Sequence, residues 1–127
     1  MTVQPPEPGL RVAVDHASLL GESPFWHPGE GRLYYCDIAG RQLLRHDPRT
    51  GQLDRWDVDS EPSAIAPLPG GRLLVALRSG IATFDPRCGR LDLCVPAPYA
   101  TASQRFNEGK CDALGRFWVG TIVQPRE

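Results

Sequence analysis

The sequence has 127 residues and a net charge of -1 at neutral pH, enough chain for one domain. Its charges are interspersed, which argues against nucleic acid or an anionic membrane as a partner. No apolar run approaches the ~20 residues that a membrane helix needs. The N-terminus lacks the features of a signal peptide, so we expect a cytoplasmic protein. Residues 1–9 read as a flexible, proline-rich tail before a domain over residues 10–127.

The four cysteines form no Cys-x-x-Cys pair and have no histidine at zinc-finger spacing. They are Cys36, Cys88, Cys94 and Cys111. We predict free thiols in a reducing compartment, with Cys36 and Cys111 acting as small hydrophobic residues on strands. A Cys88–Cys94 disulfide is the alternative. The three histidines lack ligand spacing and are assigned surface or packing roles.

Two short motifs repeat along the chain. Gly-Arg followed by apolar residues begins at Gly31, Gly71 and Gly115, and Asp-Pro-Arg-x-Gly begins at Asp47 and Asp85. The second motif favours a turn, because aspartate bonds its own backbone, proline presets φ and glycine accepts a positive φ. Short apolar segments separated by turns at a period of about 40 residues are typical of four-stranded β-propeller blades.

The segments between the turns are too short for helices and predict strands. In chain order these are an upstream strand at 10–14, then 22–27, 32–38, 42–46, 53–58, 63–68, 72–77, 81–84, 91–95, 106–112 and 117–123. The predicted fold is an all-β propeller of about two and a half blades, with units at about 21–60, 61–103 and 104–127. A closed propeller has typically four to eight blades. We therefore expect the ring to be completed by the remainder of a longer protein or by self-association.

Three polar residues are candidates for a site. Glu22 begins the first inner strand, where a carboxylate facing the channel would bind a hard divalent cation, although a solvated turn carboxylate is the commoner case. Arg105 and Asn107 lie two apart, so on a strand both face one side. Together they could bind hydroxyls or a carbonyl oxygen, or simply be the outward residues of an edge strand. Asp37 and Asp112 are assigned to turn or strand-end hydrogen bonds. The tryptophans are assigned to the core between blades.

Four motifs in register resemble the N-terminal third to half of one family. They are Gly-Glu-Ser-Pro-Phe-Trp at 21–26, Gly-Arg-Leu-Tyr-Tyr-Cys-Asp-Ile at 31–38, Arg-Phe-Asn-Glu-Gly-Lys-Cys-Asp at 105–112 and Gly-Arg-Phe-Trp-Val-Gly-Thr at 115–121. The family is that of gluconolactonase, senescence-marker protein (regucalcin) and luciferin-regenerating enzyme. The resemblance implies a six-bladed propeller that hydrolyses a small-molecule sugar lactone with one divalent cation, which could be Ca²⁺, Zn²⁺, Mn²⁺ or Mg²⁺.

The resemblance also implies roles for individual residues. Glu22 corresponds to the first metal ligand, and Arg105 and Asn107 correspond to residues that hold the substrate. The remaining ligands and the catalytic base would lie beyond residue 127, and Glu108 stands where the family usually has aspartate. We therefore expect the N-terminal part of a lactone hydrolase, with weak metal binding and no activity of its own. The alternative is a non-catalytic propeller fragment that binds a partner or associates with itself.

Overall fold

The computed structural model describes residues 7–126, and from Gly21 onward most of them lie in ten β-strands. The strands are β1 (Gly21–His27), β2 (Arg32–Asp37), β3 (Gln42–His46), β4 (Leu53–Asp57), β5 (Pro62–Pro67), β6 (Leu73–Leu77), β7 (Gly80–Asp85), β8 (Arg90–Pro96), β9 (Gln104–Cys111) and β10 (Phe117–Val123). A 3-10 turn, Pro69–Gly71, joins β5 to β6. Within the described part of the chain, no helix is long and apolar enough to span a bilayer.

The strands form three antiparallel sheets that follow chain order. The first sheet is β1-β2-β3-β4, the second is β5-β6-β7-β8, and the third contains only β9 and β10. This arrangement confirms the predicted all-β fold of about two and a half four-stranded blades. The upstream strand predicted at 10–14 is wrong, because those residues are not in a strand. They pair with no strand among residues 7–126. Of the predicted tail, residues 1–6 lie outside the described residues.

The repeated Asp-Pro-Arg-x-Gly motif forms two equivalent hairpin turns. Asp47 Oδ1 accepts a hydrogen bond from the Arg49 amide, and Asp85 Oδ1 accepts one from the Arg87 amide, each at 2.9 Å. The glycine that ends each turn, Gly51 or Gly89, has a positive φ of 78° or 76°. Each turn is thus held by the aspartate side chain and the positive-φ glycine that the sequence predicted.

The main hydrophobic core lies between the first and second sheets. Tyr34 and Leu43 on the first sheet meet Val75 and Phe84 on the second, and all four are almost completely buried. Burying each large apolar side chain stabilises the fold by roughly 1.5–3 kcal/mol. Cys36 lies in the same core, where burial raises the pKa of its thiol, so it acts as the predicted small hydrophobe. All four cysteines are free, which excludes the Cys88–Cys94 disulfide in this structure.

The tryptophans differ in their environments. Trp56 packs edge-on against Phe84 with ring centroids 5.3 Å apart, as expected for the core between blades. Trp26 and Trp118 are 51% and 62% exposed, so the same prediction is wrong for them. Their strands belong to the first and third sheets. Only the second sheet has a neighbouring sheet on each side in the described residues, and the outward faces of the other two have no sheet to pack against.

Candidate functional site

A cavity of about 620 Å³ lies where the first strand of the first sheet meets the third sheet. Its walls come from β1 and from the β9–β10 hairpin. The lining residues are Glu22, Ser23, Pro24, Asn107, Glu108, Gly109, Lys110, Trp118, Val119 and Gly120. Two of the three predicted site residues, Glu22 and Asn107, therefore share one cavity although they are far apart in the sequence.

A β-bulge follows each of these two residues. The pairing of β1 with β2 shifts register after Glu22, and the pairing of β9 with β10 skips Glu108, the residue after Asn107. Ser23 and Glu108 have positive φ angles of 53° and 49°, which is uncommon for residues other than glycine. Bulges and such strained conformations concentrate next to functional sites, because they redirect side chains. The bulges therefore support Glu22 and Asn107 as members of a site.

Gly109 allows the third sheet to approach the second. A Cβ atom at this position would lie 2.8 Å from the Cβ of Ala64 and 2.9 Å from the Trp118 carbonyl oxygen. Both distances are under 3.0 Å, closer than a Cβ atom lies to a non-bonded heavy atom. Glycine is thus required here for close packing, and that packing fixes the position of β9 and of Asn107 at the cavity.

Arg105 is buried behind the cavity instead of lining it. Its side chain is only 4% exposed. The guanidinium donates to the Gln124 side-chain oxygen through Nε, and through Nη1 to the Phe106 carbonyl at 3.0 Å and the Asn107 side-chain oxygen at 3.1 Å. Burial lowers the pKa of Arg105. Arg105 and Asn107 thus share one side of the strand, as predicted. The alternative, in which both residues point outward from an edge strand, is wrong for Arg105, because its side chain is buried.

Gln124 was not identified from the sequence, although it holds the Arg105 guanidinium. Its own main chain is fixed, because the amide donates to the Ser103 carbonyl at 2.8 Å and the carbonyl accepts from Arg78 at 2.6 Å. Ile122 pairs with Arg105 across the hairpin, and alternation places the residue two positions later on the same face. The hairpin register was therefore the signal that could have revealed Gln124.

The donor atoms at the cavity fit a hard divalent cation only in part. Glu22 offers carboxylate oxygens, a ligand type that Ca²⁺ and Mg²⁺ accept, whereas the Asn107 side-chain oxygen already accepts from the Arg105 guanidinium. Among residues 7–126, no group of three or more histidine, cysteine, aspartate or glutamate side chains is placed to hold a metal ion. A Ca²⁺ ion takes six to eight oxygen ligands. The Glu22 carboxylate by itself would supply only a small part of such a shell.

The two aspartates assigned to turn or strand-end hydrogen bonds lie at strand ends, Asp37 as the last residue of β2 and Asp112 directly after β9. Asp37 accepts hydrogen bonds from the main-chain amides of Leu19, Leu20 and Gly40 at 2.9–3.1 Å. These bonds lower its pKa against the opposing effect of burial. Asp112 closes the β9–β10 turn by accepting from the Leu114 and Arg116 amides and from the Trp118 indole nitrogen. Both aspartates therefore fix the ends of strands that line or approach the cavity.

We expect the pKa of Asp112 to be about 2, chiefly because the Trp118 indole and the Arg116 amide donate to its carboxylate. Since the folded-state pKa is lowered, the stability from this carboxylate is complete above its ordinary pKa near 4 and is lost as the pH falls toward about 2. Carbon-detected NMR titration of Asp112 would measure this value. A measured pKa of about 4 would contradict the hydrogen-bonded turn. Asp112→Asn should remove the part of the stability loss at low pH that comes from this carboxylate.

Comparisons with known proteins agree with this architecture. The family model described as "SMP-30/Gluconolactonase/LRE-like region" matches residues 20–127. A 6-deoxy-6-sulfogluconolactonase from Pseudomonas putida is 37% identical over 118 residues, which cover 93% of this chain and 40% of that protein. Regucalcin from Gallus gallus is 32% identical over 105 residues, which cover 83% of this chain and 35% of that protein.

Solved structures show the same relationship. The crystal structure of a calcium-binding protein, regucalcin from Agrobacterium tumefaciens, superposes with a TM-score of 0.85 at 26% identity, covering 90% of this chain and 39% of that one. A luciferin-regenerating enzyme gives a TM-score of 0.76 at 29% identity, covering 84% of this chain and 37% of that one. The chain thus spans well under half the length of the relatives it matches. It belongs to the SMP-30/gluconolactonase/LRE-like family.

Proposed function

We propose that this chain is the N-terminal part of a divalent-metal-dependent sugar-lactone hydrolase. The observation that carries the proposal is the shared cavity of Glu22 and Asn107, with Arg105 fixed behind Asn107. In this proposal Glu22 is a metal ligand, and Arg105 and Asn107 hold the lactone. Relatives named as a sulfogluconolactonase and a pentonolactonase favour sugar lactones as the substrate class.

In this proposal the residues of this chain bind the lactone and orient it. A bound divalent cation would polarise the lactone carbonyl and lower the pKa of a water molecule bound to it. Asn107 would direct its amide toward the substrate, because Arg105 holds its side-chain oxygen from behind. The further metal ligands and the base would come from blades beyond these residues, so we propose no turnover by this chain alone. The four free cysteines favour a reducing compartment, which is consistent with the cytoplasm.

The proposal can be tested with a chimera in which this chain replaces the matching region of the Pseudomonas putida relative. Hydrolysis of glucono-δ-lactone is followed with Ca²⁺, Mn²⁺, Zn²⁺ or Mg²⁺ added to the metal-free protein. We expect metal-dependent turnover that Glu22→Gln abolishes, because the amide removes one negative ligand. Calorimetry on the isolated chain should show only weak metal binding, since most of the coordination shell is missing.

The matched control is Glu7→Gln, which makes the same change at an exposed residue outside the cavity. It should leave both metal binding and turnover unchanged. A folded chimera that hydrolyses no lactone with any of the four metals would overturn the proposal, and so would full activity in Glu22→Gln.

A second candidate function is self-association through β10. In the described residues β10 pairs only with β9, so one edge of the strand is open. Its residues Phe117–Val123 carry no charge, and Trp118, Ile122 and Val123 are 62%, 40% and 71% exposed. An uncharged, apolar edge strand is prone to pair with another chain. Light scattering after gel filtration distinguishes the candidates, since a monomer at all concentrations would exclude self-association.

A further inference from the structure

The first strand of each sheet carries a β-bulge. In β1 the pairing shifts register between Glu22 and Phe25, in β5 it skips Ser63, and in β9 it skips Glu108. Bulges redirect side chains, and they are over-represented next to active sites. Two of these bulges, those of β1 and β5, are in direct contact with each other.

The contact between the two bulges is made by the side chain of Ser23. Its hydroxyl donates to the main-chain carbonyl oxygen of Ser63, a residue 40 positions away in the sequence. A bulged residue is left out of the ladder of its own sheet, so its carbonyl is open to a side-chain donor. Ser63 is itself held firmly, because it is completely buried and its hydroxyl donates to the Ala76 carbonyl at 3.3 Å. Ser23 is thus anchored to the interior of the second sheet.

The main chain at Ser23 needs such an anchor. Its φ of 53° lies in the left-handed region, which is uncommon for residues other than glycine. The next residue, Pro24, has no amide hydrogen to donate to the β1–β2 ladder. A strained backbone conformation persists only where the surrounding structure holds it in place. The hydrogen bond to Ser63 supplies a contact of this kind from the neighbouring sheet.

The direction of the Glu22 side chain depends on this part of the main chain. Glu22 directly precedes Ser23, and both residues are half-buried and line the candidate cavity. A functional side chain must be held to within about 0.5 Å of its productive position by the residues around it. Metal-ligating side chains are likewise oriented by partners that do not themselves touch the metal. A bulge anchored through Ser23 would orient Glu22 in this way.

We propose that Ser23 is a positioning residue, whose hydroxyl anchors the β1 bulge to the second sheet and thereby fixes the direction of the Glu22 carboxylate. The consequence for metal binding rests on the proposed function, in which Glu22 is a ligand. The hydroxyl hydrogen of Ser23 is engaged by Ser63, so Ser23 acts through Glu22. If the hydroxyl served only to join the two sheets, its loss would lower stability and leave the Glu22 side chain unchanged.

The first test needs no metal. In the intact chain labelled with ¹³C and ¹⁵N, three-bond couplings from Glu22 Cγ to its amide nitrogen and carbonyl carbon report the χ1 angle. We expect the couplings of one rotamer in the unmodified chain and rotamer-averaged couplings in Ser23→Ala and Ser23→Gly. Glycine adopts a positive φ without strain. Averaging in both variants therefore assigns the effect to the missing hydroxyl and not to strain at residue 23.

The second test measures the affinity of the same chain for Mn²⁺. Even weak binding of this paramagnetic ion broadens nearby amide signals, so a titration followed at the Gly21 and Glu22 amides gives a dissociation constant. Ser23→Ala should raise this constant about tenfold, because loss of a partner outside the metal shell typically costs about 10–100-fold in affinity. In a chain that already carries Glu22→Gln, Ser23→Ala should have no further effect, since the two residues act as one unit.

The matched control is Ser103→Ala. This substitution also removes a serine hydroxyl that donates to a main-chain carbonyl, that of Ala100 at 3.3 Å, but at a position outside the cavity. It should leave the Glu22 couplings and the Mn²⁺ affinity unchanged. Amide spectra that match the unmodified chain outside β1 and β5 show that each variant is folded.

Three results would overturn the positioning role of Ser23. They are rotamer-averaged Glu22 couplings in the unmodified chain, unchanged couplings in either Ser23 variant, and a loss of Mn²⁺ affinity that is equally large in the Glu22→Gln chain. Absence of Mn²⁺ broadening at Glu22 in the unmodified chain would instead contradict the metal-ligand role in the proposed function. The couplings would still decide the role of Ser23, since they are measured without metal.

Discussion

Replacing Arg78 with methionine is expected to lower the free energy of unfolding by about 3–5 kcal/mol, measured by urea denaturation. Arg78 is only 2% exposed. It donates to the Thr101 carbonyl and the Gln124 carbonyl, each at 2.6 Å, and lies 3.5 Å from Glu61. Methionine fills much of the same volume but leaves these three acceptors without their donor. The loss is large because it strands buried acceptors, one of them charged.

These contacts join the second sheet to the third. Thr101 lies in the connection between β8 and β9, and Gln124 directly follows β10, so one side chain ties the hairpin to the preceding blade. The Arg78 carbonyl also accepts from the Tyr99 hydroxyl at 2.8 Å, and that hydroxyl accepts from the Phe106 amide. Loss of Arg78 should therefore loosen the hairpin that carries Arg105 and Asn107.

The matched control is Arg90→Met. Arg90 is 75% exposed and pairs with Asp92 at 2.8 Å, an arrangement worth about 0–1 kcal/mol. Equal destabilisation by the two substitutions would show that Arg78 acts through general charge and not through its buried hydrogen bonds.

Replacing Arg105 with lysine in the chimera is expected to lower kcat/KM for glucono-δ-lactone about a hundredfold. The planar guanidinium bonds Gln124, Phe106 and Asn107 from one rigid group. A lysine ammonium keeps the charge but has no planar fork, so it does not hold the three acceptors in the same geometry. Asn107 then loses its fixed orientation toward the cavity. Initial rates at several substrate concentrations measure the effect.

Arg55→Lys is the control for this substitution, because Arg55 is exposed on β4, three strands away from β1 at the cavity. It should leave kcat/KM unchanged. If Arg105→Lys were as active as this control while remaining folded in a thermal melt, the geometry of the Arg105 fork would have no part in the reaction.

Much of the fold was predictable because its causes are local. The turns at Asp47 and Asp85 form through side-chain contacts with residues two positions later, and such contacts are visible in the motif itself. The strand positions follow from the repeat of these turns. The upstream strand at 10–14 was wrong because a strand needs a pairing partner, and a pattern of residues within one segment does not specify one.

Part of the candidate site was also predictable, because it depends on residues that lie close together in the sequence. The spacing of Arg105 and Asn107 places them on one side of a strand, and the structure confirms this juxtaposition. The burial of Arg105 was not predictable, since it depends on which sheet covers that residue. Gln124 was missed because it belongs to no recognisable motif, and it acquires its importance through Arg105, a partner distant in the sequence.

The turns, the blade period and the residue types available for chemistry follow from the amino-acid order alone, because they depend on backbone preferences and on contacts within a few residues. The folded chain was needed to show that Glu22 and Asn107 share a cavity, that Arg105 is buried behind it and that Trp118 is exposed. Those outcomes depend on how neighbouring sheets pack, and packing brings together residues whose separation along the chain carries no information about their contact.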